Sequence, residues 1–407
     1  MKKLGKFALP LQILGMFFAC ALIGNHVSLE IKMVFYAISK SIRVLLNITM
    51  PLIIFSCLFN SILDLRGKAL SFVFLIFALV SLSNFVSTMT GYAIGSWGLN
   101  HVFNNTIGTG NLSSNQLAPL WDLEELHVGS YTITWLKSFP LQNAHGMIAA
   151  LVLGFIACLY PSNSFHRIAA SGNRFVTWFL SKVFVKTLPL FALGFIMAME
   201  HEGVLAKVMD TYFPLFLMIV STEAAYALFF ILSANNFDLK MAWQFFRSIG
   251  PAALIGFSTM SSLAALPTTI KALKEHAKDK QSVDLILPAT VNIHMVGSSI
   301  VIPFLAIYTI ASFGGPAPSM QNYMQFALWF VLYKFTVAAV PGGSIYAMLP
   351  ILKAVLDFDD DMASMVVSMY LLFNPFVAAS NVLTNSAFSL ILSKIFQRWF
   401  TKPVVAT

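Results

Sequence analysis

The chain has 407 residues, 58% of them hydrophobic and 10% charged, with a formal net charge of +8. A soluble domain carries about 25% charged residues, so this composition, with a mean hydropathy of +0.78, excludes a soluble globular protein and defines a polytopic membrane protein. The three cysteines, Cys20, Cys57 and Cys158, stand singly in apolar spans and read as small core residues, with neither disulfide nor metal-ligand spacing.

In chain order, Lys2, Lys3 and Lys6 precede an apolar span at 7–24. No small-residue cleavage pattern follows it cleanly, so it reads as a first membrane helix rather than a signal peptide. Further spans suited to membrane helices lie at 33–63, 69–97, 131–160, 172–199, 205–234, 284–310 and 362–397. Two segments, about 243–273 and 322–352, are interrupted. The first carries Phe257-Ser258-Thr259-Met260-Ser261-Ser262-Leu263-Ala264-Ala265-Leu266-Pro267, and the second Ala338-Ala339-Val340-Pro341-Gly342-Gly343-Ser344. Lipid offers no partner to a free N–H or C=O, so non-helical backbone at membrane depth survives only around a protein-enclosed cavity. Two breaks therefore point to a polar binding site near the membrane midplane, built from discontinuous helices as in secondary transporters.

The basic residues sort by side. Lys2, Lys3, Lys6, Arg66, Lys68, His166, Arg167, Arg174, Lys240, Arg247, Lys271, Lys274, Lys278, Lys280, Arg398 and Lys402 fall in one set of loops. The opposite set holds Asp122, Glu124, Glu125, Glu200, Glu202 and Asp357 to Asp361, with few lysines. Lysine and arginine stay cytoplasmic, which places both termini inside and the loop around 98–130 outside. The surplus charge is thus topological and does not point to nucleic acid. It also makes the first broken segment enter from the cytoplasm and the second from outside, an inverted repeat.

These residues carry a resemblance. Ser258 to Pro267 looks like the serine-rich first hairpin tip of the dicarboxylate/amino acid:cation symporter family, which includes the glutamate transporters, and Ala338 to Gly343 looks like its second tip. Asn374 to Asn385, with Asn381-Val382, lies where that family carries its last-helix motif. Lys40 to Pro51, Phe139-Pro140-Leu141-Gln142-Asn143-Ala144 and Thr187 to Leu193 are softer echoes, so the resemblance spans nearly the whole chain. It implies an all-α fold of eight transmembrane helices and two re-entrant helical hairpins, assembled as a homotrimer and working as an elevator. Scaffold helices 1 and 2 (1–66) and 4 and 5 with the outer loop (101–204) would hold a moving unit made of 67–100 and 205–407. Substrate would lie between the tips and the last helix, meeting Ser261, Ser262 and backbone around Val340 and Gly342, with Pro341, Gly342 and Gly343 as the outer gate. Hydroxyls and half-helix N-termini suit an anion.

The last helix departs from the family pattern. Anchored on Asn381-Val382, the family's arginine falls at Val377, its threonine at Ala378, its amino-group aspartate at Asn374 and its sodium-site aspartate at Asn385. A buried carboxylate without a charged or multiply bonded partner is costly, so an acidic amino acid is disfavoured as substrate. A small polar solute or monocarboxylate fits the lining better. Coupling by sodium is in doubt as well. Asn292 and Asn381 keep amide oxygens at family positions, but His294 stands where a sodium-binding aspartate is expected. Lys334 falls on the first arm of the second hairpin, where its ammonium would replace the gate's sodium; the plain alternative is snorkelling outward. Glu223 is an acid inside a hydrophobic helix, a candidate proton carrier or a neutral interhelical bonding partner. Ser81, Ser83 and Asn84 lie where the family places another cation site, with packing as the plainer role.

No His-Glu-x-x-His, Gly-rich phosphate loop or cysteine–histidine ligand spacing is present, which argues against an enzyme. The reading is a cation-coupled symporter of a small amino acid or carboxylate, with no cofactor beyond a co-transported Na+ or H+. It would sit in a plasma membrane, bacterial by its general character. The alternative is a non-coupled channel or a substrate-binding sensor on the same fold.

Overall fold

A computed structural model describes residues 8–64, 70–103, 120, 126–128, 131–133, 149–150, 152–154, 156–157, 160, 163–201, 204–335, 337 and 341–400. The helices are α1 (Ala8–Ile23), α2 (Leu29–Asp64), α3 (Leu70–His101), α4 (Asn163–Trp178), α5 (Val185–His201), α6 (Val204–Ala234), α7 (Leu239–Thr259), α8 (Ser262–Leu273), α9 (Lys280–Thr290), α10 (Val296–Ser312), α11 (Met320–Lys334), α12 (Gly343–Leu356) and α13 (Asp360–Phe400). Among the described residues, three apolar stretches, Phe74–His101, Phe213–Ala234 and Asp360–Arg398, are long enough to cross a membrane. The protein is a membrane protein with helical spans.

Both interrupted segments form the expected hairpins, α7 against α8 and α11 against α12. Three expectations need correction. The span at 131–160 does not begin as helix, because Tyr131–Ile133 (β2) pairs antiparallel with Leu126–Val128 (β1), Val128 facing Tyr131. Gly129-Ser130 between them and the β-branched and aromatic residues around them suit a hairpin rather than a helix. Elsewhere the regular structure among the described residues is helical. The span at 172–199 starts earlier, at Asn163, and runs through a π-helical turn at Phe179–Phe184 into α5. Finally, the span at 284–310 is two helices, α9 and α10, separated by non-helical backbone at 291–295. That break has no glycine or proline of its own; groups from other helices hold it open, as described below.

The forty-one residues of α13 form the axis of one packed group. Around it lie α6, both arms of the first hairpin, α9, α10 and α12. Helix α3 packs along α10 and touches α11, closing the group on its other side. A second group consists of α2 against α4 and α5, with α1 on α5. Ser39 on α2 donates to the Phe191 carbonyl of α5 at 2.8 Å, and Lys32 forms a buried ion pair with Glu200 across the same two helices. The main apolar core joins both groups, running from Phe17 and Phe195 to Phe304, Phe330 and Tyr370.

Candidate functional site

The first hairpin tip is built by capping. Helix α7 stops because Met260 adopts a left-handed conformation, φ 53° and ψ 28°. A side chain rarely tolerates that region, and such residues gather at ligand sites. Ser261 then starts α8 as its N-cap, its Oγ accepting from the Ala264 N–H at 3.2 Å. Thr259 Oγ1 returns a bond to the Ile255 carbonyl at 2.7 Å. Ser261 and Ser262 are both buried. One of the two serines expected to meet substrate thus also caps a half-helix whose N-terminus points into the protein.

The second tip is described at Val337 and from Pro341 onward; Val340 lies outside the described residues. Gly342 sits at φ 72° before the first turn of α12, and a Cβ there would lie 2.9 Å from the Tyr346 ring. Only glycine fits both the backbone and the space. Pro341, Gly342 and Gly343 are buried rather than open to solvent.

Both tips converge on the middle of α13. Met260 from the first, Ile345 and Tyr346 from the second, and Tyr370 and Val377 from α13 belong to one contiguous core with Met295 of the α9–α10 break. Phe257 meets Phe376 edge-on, ring centroids 5.1 Å apart. Pro375 within α13 supplies no N–H to the turn before it, which weakens the helix at Asn374. Val377 and Ala378 are buried apolar positions, so α13 offers no cation here.

The break at 291–295 is satisfied from both sides. Asn84 of α3 donates to the Ile293 carbonyl at 2.7 Å. Asn381 of α13 accepts the Gly297 N–H through Oδ1 at 2.9 Å. These two asparagines hold open a break that the local sequence does not announce, and Asn84 is therefore more than packing. His294 is fully buried, its Nε2 2.9 Å from Ser83 Oγ and its ring stacked on Phe388 at 3.9 Å. Asn385 lies beside it, its side chain within hydrogen-bonding reach of the His294 ring. Asn292 is half-buried at the start of the same break.

Lys334 does not snorkel. It is 0% exposed, and its ammonium donates to Ser298 Oγ in the first turn of α10. Its Nζ also lies 5.0 Å from the Phe330 ring centroid. Ser298 and Ser344 in turn engage the Tyr370 hydroxyl, and Ser344 Oγ approaches Met295 Sδ at 3.4 Å. Glu223 on α6 is 3% exposed, and its Oε1 has no partner. Buried polar groups are paired in most proteins, and exceptions mark functional places. Asn374 Nδ2 is another such atom on α13. Among the described residues no group of three or more His, Cys, Asp or Glu side chains could hold a metal ion.

Two interrupted hairpins, a third chain break and a row of unpaired polar atoms on one long helix are the parts of a solute carrier. The model of the sodium:dicarboxylate symporter family matches residues 9–395, and the chain belongs to that family. This is a family of transporters rather than enzymes. A segment of the chain is similar to the proton/glutamate-aspartate symporter of Bacillus subtilis (strain 168), 28% identical over 117 residues, 29% of this chain and 26% of that protein. The match spans about a quarter of that relative's length.

Proposed function

We propose that this protein is a cation-coupled symporter that carries a small carboxylate without a second acidic group, or a comparably small polar solute. The observation that carries this reading is Asn374 of α13, whose amide nitrogen is buried and unpaired. An unsatisfied donor in a dry interior suits an acceptor on the solute, whereas an ammonium group would need the carboxylate that asparagine replaces. Val377 offers nothing to a side-chain carboxylate, so glutamate and aspartate fit poorly. Ser262 and the N-terminal half-helix dipoles of α8 and α12 complete an anion-holding lining.

Lys334 acts as a tethered cation between the second hairpin and α10, and His294 fills the place of a family carboxylate, so transport runs without sodium. In the membrane we assign eight spanning helices and two re-entrant hairpins. Residues 1–66 and 101–204 serve as scaffold, and 67–100 with 205–407 move as an elevator in a homotrimer. The second tip opens outward, with both termini cytoplasmic in a plasma membrane. A channel or sensor is not favoured by membership of a symporter family.

Thermal stabilisation of the purified protein across amino acids and carboxylates, with and without sodium, tests this reading. A ligand of the folded state raises the melting temperature by mass action. A monocarboxylate that does so without sodium is the expected result; stabilisation by glutamate in the presence of sodium alone overturns it.

A further inference from the structure

Three oxygens from two helices gather over Gly297. Glu223 Oε1 of α6, the Val377 carbonyl oxygen of α13 and Asn381 Oδ1 of α13 lie 2.7, 2.9 and 3.2 Å from the point that a Cβ on Gly297 would occupy. All three are acceptors. The Asn381 oxygen is identified as such because it takes the Gly297 N–H, and that N–H is thereby used up. Glu223 Oε1 has no partner, in an interior where the residue is 3% exposed. The Asn381 oxygen has its donor and the Val377 oxygen is a helix carbonyl of α13, so Glu223 Oε1 is the buried oxygen of the three left without one. The point they surround is one carbon–carbon bond, about 1.5 Å, from the Gly297 Cα, which leaves no room for a metal ion with its coordination shell. A proton on the carboxyl is what fits.

We propose that Glu223 is where this carrier binds its coupling proton, with Gly297 providing the clearance that lets the carboxyl reach α13. The proposal rests on the symport reading and names its ion. Two other groups share the same buried zone. Tyr370 of α13 lies within electrostatic range of Glu223 and bonds Ser298 and Ser344. Lys334 of α11 reaches the same Ser298, next in sequence to Gly297. His294, on the break before α10, is turned to Ser83 and Phe388. Among the described residues, α1, α5 and α7 set no charged side chain against Glu223. With its proton on, Glu223 is neutral and the Lys334 charge is available to the solute carboxylate. When the proton passes to water on the inner side, the carboxylate left behind puts a negative charge into the interior that also holds the Lys334 ammonium.

Infrared spectroscopy of the full-length protein in detergent tests this without knowing the solute, using the proton and deuteron as probes. At neutral pH the wild type should show a protonated carboxyl stretch that shifts in D2O, gives way to carboxylate as pH rises and is missing in Glu223→Gln. Gly297→Ala, which places a methyl at the convergence point, should displace or abolish the same band. A Glu223 that is carboxylate at every pH, or a band that Gly297→Ala leaves untouched, overturns the proton site and leaves the symport reading standing with another ion. A proton that never leaves across the accessible pH range overturns the coupling role, because the bond is then only structural.

Discussion

Two asparagines on α13 should respond in opposite directions when replaced by leucine. Asn374 is 3% exposed and its Nδ2 bonds nothing, so the folded protein bears the cost of a buried donor, about 1–3 kcal/mol. Asn374→Leu removes that donor in a side chain of similar size and should raise stability by about 1 kcal/mol, at the low end of this range because the amide oxygen is lost too. Asn381 carries the opposite balance. Its Oδ1 takes the Gly297 N–H at 2.9 Å, and Asn381→Leu strands that N–H in the first turn of α10, lowering stability by about 1–3 kcal/mol. The two variants should therefore differ by about 2–4 kcal/mol, well over tenfold in the unfolding equilibrium. Equilibrium unfolding in mixed micelles measures the difference. Melting of Asn374→Leu with the carboxylate panel should show that the stabilised variant no longer responds to solute. If Asn374→Leu falls as far as Asn381→Leu, Asn374 is an ordinary structural residue and its place at the solute site is refuted.

Lys334→Met should keep the fold and abolish sodium-independent uptake, since a charge-assisted bond from the ammonium is worth about 1.5–3 kcal/mol; uptake in proteoliposomes with and without sodium checks it. The buried pair of Lys32 and Glu200, with side chains 7% and 8% exposed, predicts that Lys32→Met costs about 3–5 kcal/mol by stranding the carboxylate. Lys32→Met with Glu200→Leu should recover most of that loss in the same unfolding assay. His276 packs on Phe245 in the loop after α8, with ring centroids 5.2 Å apart, and burial lowers its pKa against a smaller opposing pull from Glu275. A histidine held neutral by the fold binds its proton more readily once unfolded. Its contribution is complete above the unfolded pKa of about 6.5 and is lost as pH falls through and below it. Melting curves between about pH 7 and pH 5 should therefore slope less for His276→Phe than for the wild type.

The parts of this protein that were legible in its sequence are those set by local chemistry. The serine-rich run ending at Pro267 and the Pro341-Gly342-Gly343 triplet announce chain reversals, and both hairpins form where those residues stand. What stayed hidden depends on partners far along the chain. Nothing in Val291 to Met295 breaks a helix by propensity; the break exists because Asn84 and Asn381 take up its freed groups. Lys334 was legible as a candidate ammonium on the second hairpin, with snorkelling as the alternative, and only its bond to Ser298 of α10, far along the chain, decides between the two. Glu223 is visible as an intramembrane acid, but its facing oxygens come from residues 377 and 381, and its clearance from Gly297. The strand pair at 126–133 was missed because a long apolar span outweighed a short alternating pattern around Gly129-Ser130.

The most direct test is accumulation of radiolabelled monocarboxylates in sodium-free proteoliposomes under an imposed inward proton gradient. The account predicts concentration of a solute above its external level, abolished when the gradient is collapsed. Solute that only equilibrates across the membrane, or that accumulates only when a sodium gradient replaces the proton gradient, would contradict it.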